Sequence, residues 1–375
     1  MSTVVVALGI LNLVLSLSSL RDARRKQVRT AIPAARNNPT VTLFIPCCGD
    51  EEGLGDNLEA IAGQDFSSLS LVFVVKSGDD GAVPVIERVR QRYGGELVIA
   101  GEASGCSQKV HNLLRALDRE PSSTILAFTD SDGRPDPGWL RRLIAPLDQP
   151  GVGAASTYRF YVPEPRSVSS LLRSVWNASV LSLLGDHDRN FAWGGGMAIQ
   201  RARFDAIGVR EAWQGALSDD YALTHAVRRA GLRVAFVPEA IVPSYGSVGF
   251  AELMGWVGRQ MSITRVYWPA LFRIALLHHC QYVLFFVLGP WAAGRYGLWL
   301  WSLVQLTSLA TALINGRRTP WSRFIKGRRL AFALAVPAAS FMTLAGGMRA
   351  LWSRRIVWRE RIYEMRSPTE TIILR

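Results

Sequence analysis

Two pairs of neighbouring carboxylates in this 375-residue sequence have the type and spacing to do chemistry. Asp130 and Asp132 stand two residues apart after an apolar run, and oxygen ligands at that spacing suit Mg²⁺ or Mn²⁺. A cation bound there would hold a diphosphate and stabilise it as a leaving group. The same stretch is also typical of an Asp-rich turn, so these residues alone leave both interpretations open.

The second pair, Asp219 and Asp220, opens a stretch that predicts a helix over 217–230. One acid there, or Ser218, is enough to cap the helix. A second, adjacent carboxylate is suited to general-base work on an alcohol. We therefore expect Asp220 to act as the base with Asp219 beside it, and capping alone is the simpler alternative.

Other residues are candidates for binding a substrate rather than for catalysis. Asp79 and Asp80 follow a second apolar run, where a carboxylate meets ligands at the edge of a sheet. Lys109 would reach a phosphate or nucleotide, or else remain an ordinary solvated lysine. Gly195 and Gly196 belong to a run of glycines, which indicates a sharp turn or a close approach of the backbone to another group.

A third group of candidates lies in an amphipathic helical region predicted over 250–273. Arg259, Gln260 and Arg265 place cationic and amide groups there. Such groups would bind a diphosphate. The alternative is that the arginines lie at a membrane surface with their charged ends in water.

The elements that must position these residues alternate along the chain. Continuous apolar runs that alternate with helix-like segments indicate an α/β fold with a parallel sheet covered on both faces. In such sheets the chemistry lies beyond the carboxyl ends of the strands. The predicted strands are 41–46, 71–75, 97–100 and 124–129, and the predicted helices between them are 51–63, 82–93 and 107–118.

Charge and hydropathy divide the chain further. The net charge is +13, with +5 in residues 21–36, +12 in residues 266–375 and −4 between them. A basic excess outside the folded body argues against a nucleic-acid partner. It lies instead beside uncharged stretches that have about the 20 residues needed to span a bilayer. These stretches are 1–20, 274–294, 296–316 and 330–348.

These boundaries predict a multi-pass integral membrane protein whose catalytic domain is on the cytoplasmic side. The cysteines show no metal-binding spacing, which fits a reducing compartment. A fourth crossing would place the basic tail outside, so the sequence leaves open whether 330–348 spans. The predicted segments are a signal-anchor at 1–20, a basic linker at 21–38, a catalytic domain at 39–248, interfacial helices at 249–273, transmembrane helices at 274–348 and a basic tail at 349–375.

Several segments together resemble one family, the ceramide glucosyltransferase-like membrane glycosyltransferases of the family 2 and family 21 type. The resemblance covers roughly residues 38–270, and more loosely the membrane tail. It implies a GT-A fold, which is a Rossmann-like nucleotide-diphospho-sugar transferase domain. The matching segments are VTLFIPCCGDEEGLGDNLEAIAGQDF, LVFVVKSGDDGAVPVI, GCSQKVHNLL, FTDSDGRPDPGWL, WGGGMAIQRARF, LSDDYALTHAVRRAGLRVAF, GRQMSITRVYWP and, in the tail, WRERIY.

The resemblance also implies roles for individual residues. It makes Asp130 and Asp132 the ligands of the metal and the sugar-nucleotide diphosphate, Asp220 the base, Asp79 and Asp80 contacts to uracil or ribose, and Arg259 and Gln260 part of a Q/R-x-x-R-W element. This sequence departs from that element, because Ser262 and Ile263 replace its second Arg and its Trp, and Arg265 is a nearby substitute. Cys48 and Lys76 also depart from the residues common at their positions.

The expected function is therefore inverting transfer of a hexose from a UDP-sugar to a membrane lipid hydroxyl. Glucose is the hexose we expect first. The product would be a β-glycolipid. A processive polysaccharide synthase is one alternative, although the few predicted spans and the altered R-x-x-R-W element count against it. A catalytically inactive membrane scaffold that binds lipid is the other, and the intact acidic pairs count against that.

Overall fold

The computed structural model describes residues 2–25, 39–119, 122–292, 294–359 and 361–374. The chain divides into two compact units. The helical unit consists of Met1–Arg29, Val162–Ser179 and Ser247–Arg354, and the sheet unit consists of Thr30–Tyr161, Val180–Gly246 and Arg355–Arg375. The sheet unit therefore includes the C-terminal segment as well as most of the predicted catalytic domain.

The described strands are β1 (Val41–Pro46), β2 (Leu69–Val75), β3 (Glu96–Ile99), β4 (Ile125–Phe128), β5 (Val152–Ser156), β6 (Arg159–Tyr161), β7 (Met197–Gln200), β8 (Arg233–Phe236), β9 (Val242–Ser244), β10 (Arg355–Trp358), β11 (Arg361–Ser367) and β12 (Glu370–Ile373). The described helices are α1 (Ser2–Arg25), α2 (Leu54–Ala62), α3 (Val83–Tyr93), α4 (Gln108–Leu117), α5 (Trp139–Ile144), α6 (Val168–Leu181), α7 (Arg201–Ala206), α8 (Val209–Trp213), α9 (Asp219–Arg229), α10 (Phe250–Tyr267), α11 (Pro269–Leu288), α12 (Arg295–Arg318) and α13 (Arg329–Trp352). Short 3₁₀ turns connect several of them.

A mixed sheet forms the centre of the sheet unit, with strand order β3-β2-β1-β4-β7-β5-β8. The strands β3, β2, β1 and β4 run parallel, and β7 runs antiparallel to both of its neighbours. The predicted α/β fold with a parallel-rich sheet is confirmed. Because β1, β2 and β4 point the same way, the loops that follow them meet at one edge.

Both faces of this sheet are covered, which explains why its strands read as continuous apolar runs. One apolar cluster lies between the sheet and α2, α3 and α5, and a second lies between the sheet and α4, α8 and α9. In the second, Phe44 stacks on Phe128 with ring centroids 5.2 Å apart, and Trp213 meets the same Phe128 edge-on at 5.1 Å. This packing fixes the ends of β1 and β4 relative to each other.

The C-terminal segment of the sheet unit folds as a three-stranded antiparallel sheet, β10-β11-β12. The Gln108 backbone N–H donates to the Tyr363 hydroxyl over 3.2 Å, and Arg361 forms an ion pair with Glu102. Where the sequence predicted a basic tail from residue 349, the structure continues α13 to Trp352 before this sheet begins. We refer to β10–β12 as the tail sheet.

In the helical unit, four of the described helices are long and apolar enough to cross a membrane: α1, α11, α12 and α13. Together they suggest a membrane protein. The predicted amphipathic region over 250–273 is two helices, because α10 ends at Tyr267 and Pro269 begins α11, with Trp268 between them. The first helix continues to Arg25, within the predicted linker, and residues 26–38 of that linker lie outside the described residues.

Candidate active site

The two carboxylates predicted to bind metal follow β4 at the carboxyl edge of the sheet and share one cationic partner. Arg159, the first residue of β6, places Nη1 3.2 Å from Asp130 Oδ2 and forms an ion pair with Asp132 Oδ1. Only 12% of the Arg159 side chain is exposed. Since an unpaired buried charge is costly, this guanidinium stabilises the position of both acids.

Lys109 joins the first acidic pair to the second. It lies in the first turn of α4, and its Nζ is 2.6 Å from Asp130 Oδ1 and 3.0 Å from Asp219 Oδ2. Burial would lower the pKa of Lys109, but Asp130, Asp219 and Asp220 together raise it, so the ammonium stays charged. The sequence allowed Lys109 either to contact a phosphate or nucleotide or to be an ordinary solvated lysine. This geometry does not fit a solvated lysine.

The pKa of Asp130 shows the same balance from the acid side. Burial alone would raise this pKa, but Lys109 and then Arg159 hold it below its ordinary value, with a weaker contribution from Arg359. Asp130 is therefore ionised near neutral pH. An ionised carboxylate is the form that a hard cation needs as a ligand.

Asp220 lies in the first turn of α9, close to the glycine run. Its Oδ1 accepts from the Tyr221 backbone N–H over 2.7 Å and from the Ser218 hydroxyl, and its Oδ2 accepts from the Gly194 N–H over 3.2 Å. Burial first, and then the charge of Asp219, raise the pKa of Asp220 to about 6. A carboxylate with that pKa is a better proton acceptor near neutral pH than an ordinary aspartate.

The glycine run packs against this cluster at distances that exclude a side chain. A methyl group on Gly194 would lie 2.8 Å from Lys109 Nζ, and one on Gly195 would lie 2.8 Å from Arg159 Cβ. At Gly196 the same group would lie 2.7 Å from Thr157 Cγ2. The structure thus gives Gly195 and Gly196 a packing reason to be glycine, and their predicted contact with substrate stays a prediction.

Asp79 and Asp80 lie in the loop after β2, at the same edge of the sheet. Asp80 Oδ1 accepts from the Gly49 N–H over 2.7 Å and from the Ala82 N–H over 3.0 Å, so it ties the loop after β1 to the start of α3. Asp79 is exposed, and a hydrogen bond from the Ser77 hydroxyl is the main cause of its lowered pKa. Of the two, Asp79 has the accessible carboxylate.

The remaining candidates lie on α10 and therefore belong to the helical unit. The Arg265 guanidinium donates to the Ala350 carbonyl oxygen in the last turn of α13, where a cation stabilises the helix end. The Gln260 carbonyl oxygen accepts from the Thr264 hydroxyl over 2.8 Å. Arg259 occupies the same helix as these two residues. Their predicted contact with a diphosphate stays a prediction.

Sequence reasoning missed Arg159, although it contacts both predicted metal ligands. Nothing in its immediate sequence, Tyr158-Arg159-Phe160, marks a functional residue. The one available signal was indirect: two acidic pairs brought to one sheet edge require cations, and Lys109 alone does not balance them. That signal says a cation is needed but does not say where it lies in the sequence.

The donor atoms at this edge fit a divalent cation. The described residues contain no group of three or more His, Cys, Asp or Glu side chains that could hold a metal alone. Asp130 and Asp132 supply two carboxylates, and Mg²⁺-type ions are commonly held by one or two carboxylates plus substrate phosphates and water. The residues therefore suit an ion that binds together with a diphosphate.

The chain has a GT-A-type fold. Its fold is similar to that of the mannosyltransferase PcManGT from Pyrobaculum calidifontis, which was solved in complex with GDP-Man and Mn²⁺. The two chains superpose with a TM-score of 0.54 over 94% of this chain and 99% of that one, at 18% sequence identity. This similarity shows the fold.

The particular family follows from the sequence. The profile of glycosyl transferase family 21 matches residues 1–371, so the chain belongs to that family. Ceramide glucosyltransferase 1 of Caenorhabditis elegans is 21% identical over 295 residues, which cover 74% of this chain and 63% of that protein. Ceramide glucosyltransferase 3 of the same organism is 27% identical over 96 residues, 25% of this chain and 21% of that protein. The chain thus spans less than two thirds of either relative, and the resemblance seen in the motifs is confirmed.

Proposed function

We propose that this chain is an inverting glycosyltransferase that moves a hexose, glucose for preference, from a UDP-sugar to a lipid hydroxyl and forms a β-glycolipid. One observation carries the proposal. Lys109 links the acid suited to a metal-bound diphosphate, Asp130, to the acidic pair that contains the candidate base, Asp220. Donor-binding and proton-accepting groups therefore lie at one edge of one sheet.

In the proposed reaction the acceptor hydroxyl oxygen forms a bond to the anomeric carbon as the bond from that carbon to the diphosphate breaks. The hydroxyl proton goes to Asp220 and the nucleoside diphosphate leaves. Attack from the face opposite the leaving group inverts the anomeric configuration from α to β. A positioned base of this kind contributes about 10²–10⁴ in rate.

Asp130 and Asp132 would hold a Mg²⁺ or Mn²⁺ ion, which when bound would supply positive charge to the departing diphosphate. Arg159 and Lys109 hold the two carboxylates in place. PcManGT was solved with Mn²⁺ and a nucleotide sugar, which supports a divalent metal in this chain too. The transfer assay described below compares the two ions.

The lipid acceptor is proposed from the helical unit and the relatives. Ceramide glucosyltransferases are named for transfer of glucose to a lipid, and four described helices of this chain are apolar enough to cross a bilayer. We further propose the segment boundaries given above, a multi-pass arrangement, and a catalytic domain on the cytoplasmic side. The basic residues that follow the first apolar helix support that orientation.

The test is transfer by the purified full-length protein from several UDP-sugars, with Mn²⁺ or Mg²⁺, to ceramide, diacylglycerol and sterol- or hopanoid-type lipids, read by mass spectrometry. We expect a β-linked glycolipid from wild type and none from Asp220→Asn, with UDP binding retained. Asp205→Asn is the matched control, because that acid pairs with Arg201 on the surface of α7. A soluble glycan, a polymer, or transfer by Asp220→Asn would contradict the proposal.

A further inference from the structure

The turn between β10 and β11 brings one arginine of the tail sheet to the loop that follows β1. Arg359 Nη1 lies 2.7 Å from Glu51 Oε1 and donates to the Cys48 carbonyl oxygen over 3.3 Å. Cys48 lies two residues beyond the end of β1, at the sheet edge where Asp130 and Asp132 follow β4. A residue near the end of the chain thus reaches the edge that bears the candidate active site.

The backbone of Arg359 is unusual. Its φ is +57°, and among the residues that the structure describes it is the non-glycine residue with a φ in the left-handed region. Such a conformation is unfavourable for a residue with a Cβ and persists when surrounding contacts hold it. The register pairs Trp358 with Arg361, so Arg359 is the first residue of a two-residue hairpin turn, and such turns require a positive φ at that position. The turn itself therefore accounts for this conformation.

Contacts on either side of the turn hold it on the sheet unit. Arg361 pairs with Glu102 in the loop after β3, and the Tyr363 hydroxyl accepts from the first backbone N–H of α4. At the far end of the tail sheet, the Thr369 carbonyl lies so close to Gly215 that a methyl group there would lie 1.9 Å from its oxygen. The position of Arg359 is therefore fixed by the tail sheet as a whole.

Unlike the other two cations of the site, Arg359 is available to bind a ligand. Lys109 and Arg159 are 17% and 12% exposed and are occupied by the acidic pairs. The Arg359 side chain is 44% exposed, and its contacts within the described chain use Nη1. Its Nε and Nη2 donors remain for another partner. Its charge also acts on Asp132 and Asp130.

We propose that Arg359 binds the diphosphate of the nucleotide donor, so that the tail sheet is part of the donor site. This inference rests on the proposed function, since it takes a nucleotide diphosphate as the ligand. A guanidinium matches phosphate oxygens with two parallel donors, and an arginine exposed beside the candidate metal ligands is suited to that contact. Before the donor binds, Glu51 orients the guanidinium.

The test uses full-length protein in detergent with Mn²⁺, and calorimetric titration with UDP, UMP, GDP and GMP. Arg359→Gly removes the guanidinium and suits the positive φ, whereas Glu51→Gln breaks the same ion pair from the other side. Arg366→Ala is the control, because the ion pair of Arg366 with Glu370 lies within the tail sheet. We expect Arg359→Gly to weaken diphosphate binding about 10–100-fold and monophosphate binding much less. Glu51→Gln should keep or tighten it, and Arg366→Ala should match wild type.

Equal losses in Arg359→Gly and Glu51→Gln would overturn the inference, because the guanidinium would then only tie the tail sheet to the loop after β1. An unchanged affinity in Arg359→Gly would overturn it as well. Those results would leave the proposed function in place as long as wild type binds a nucleoside diphosphate. If wild type binds none of the four nucleotides, the proposed function fails and the inference fails with it.

Discussion

Removing the charge of Asp220 should have two effects: the folded protein becomes more stable, and the enzyme loses its activity. In the folded chain, burial and the neighbouring Asp219 raise the pKa of Asp220 from its ordinary value of 3.8 to about 6. A raised native pKa favours the protonated acid. Its contribution to stability is therefore fully present below the unfolded pKa near 3.9, and it is lost as pH rises through about 6.

The size of the effect follows from that difference in pKa. At 1.36 kcal/mol for each pKa unit, ionisation of Asp220 above pH 7 costs the folded state about 3 kcal/mol. Asp220→Asn avoids this cost, and after about 1 kcal/mol is subtracted for a lost hydrogen bond, the net gain of about 2 kcal/mol corresponds to a rise of about 4–8 °C in the Tm for a unit of about 200 residues. The lost acceptor for the Gly194 N–H lowers stability by about 1 kcal/mol at every pH.

The assay compares the Tm of Asp220→Asn with that of wild type at pH 4 and pH 7.5, beside Asp205→Asn as the matched control. We expect the advantage of Asp220→Asn to appear at pH 7.5 and to disappear at pH 4, with the control flat throughout. In parallel, wild-type kcat/KM should rise with pH through about 6 as the base ionises. A Tm difference independent of pH, or transfer by Asp220→Asn within tenfold of wild type, would refute the assignment of this residue as the raised-pKa base.

Other features of the site give smaller tests. Arg159→Met leaves two acids without their shared cation and should lower the free energy of unfolding by about 3 kcal/mol, and added Mn²⁺ should recover part of that loss in a denaturant titration. Gly195→Ala should cost about 1–3 kcal/mol because its methyl group meets Arg159, whereas Gly78→Ala, with open space around it, should be neutral; equal Tm values would contradict this. Tyr363→Phe leaves the Gln108 N–H without its acceptor and should lower the free energy of unfolding by about 1 kcal/mol, measured by denaturant titration.

The sheet could be predicted from the sequence because its determinants are local. Strands β1 and β2 are buried on both faces, so each reads as a continuous apolar run that ends at a turn. The residues that follow each strand end lie at the carboxyl edge, which is why Asp130 and Asp132 are candidates from the sequence alone. Helix α9 was also predictable, since Ser218 accepts from the Tyr221 N–H as an N-cap does.

The rest could not be predicted, because it depends on contacts between distant parts of the chain. Arg159 reaches Asp132 only after β6 pairs with β9, a short strand with no apolar run of its own. The tail sheet carries an excess of basic residues, so its sequence favoured an exposed tail over β-structure. Arg359 and Glu51, more than 300 residues apart, become partners only because the tail sheet packs on the sheet unit.

The tail sheet also bears on how many helices cross the membrane. In the proposed arrangement the catalytic domain lies on one side of the membrane, and the segment between Gly246 and Arg355 joins two parts of the sheet unit, so we expect that segment to cross an even number of times. Helices α11 and α12 are antiparallel: the Tyr282 hydroxyl donates to Gln305 Oε1 over 3.1 Å, and Trp301 Nε1 donates to the Phe286 carbonyl over 2.9 Å. The N-terminal end of α11 and the C-terminal end of α12 are therefore at the same end of the helical unit.

Helix α13 begins and ends at that same end. A methyl group on Gly316, near the end of α12, would lie 3.8 Å from Cγ of Arg329 at the start of α13, and one on Gly347 would lie 2.8 Å from Leu276 near the start of α11. We therefore expect α11 and α12 to cross the membrane and both ends of α13 to lie on one side of it. In a cysteine-free background, single cysteines at Gly327 and Leu374 should be labelled by an impermeant reagent from one side, and one at Gly294 from the other. Labelling of Gly327 and Leu374 from opposite sides would show instead that α13 crosses.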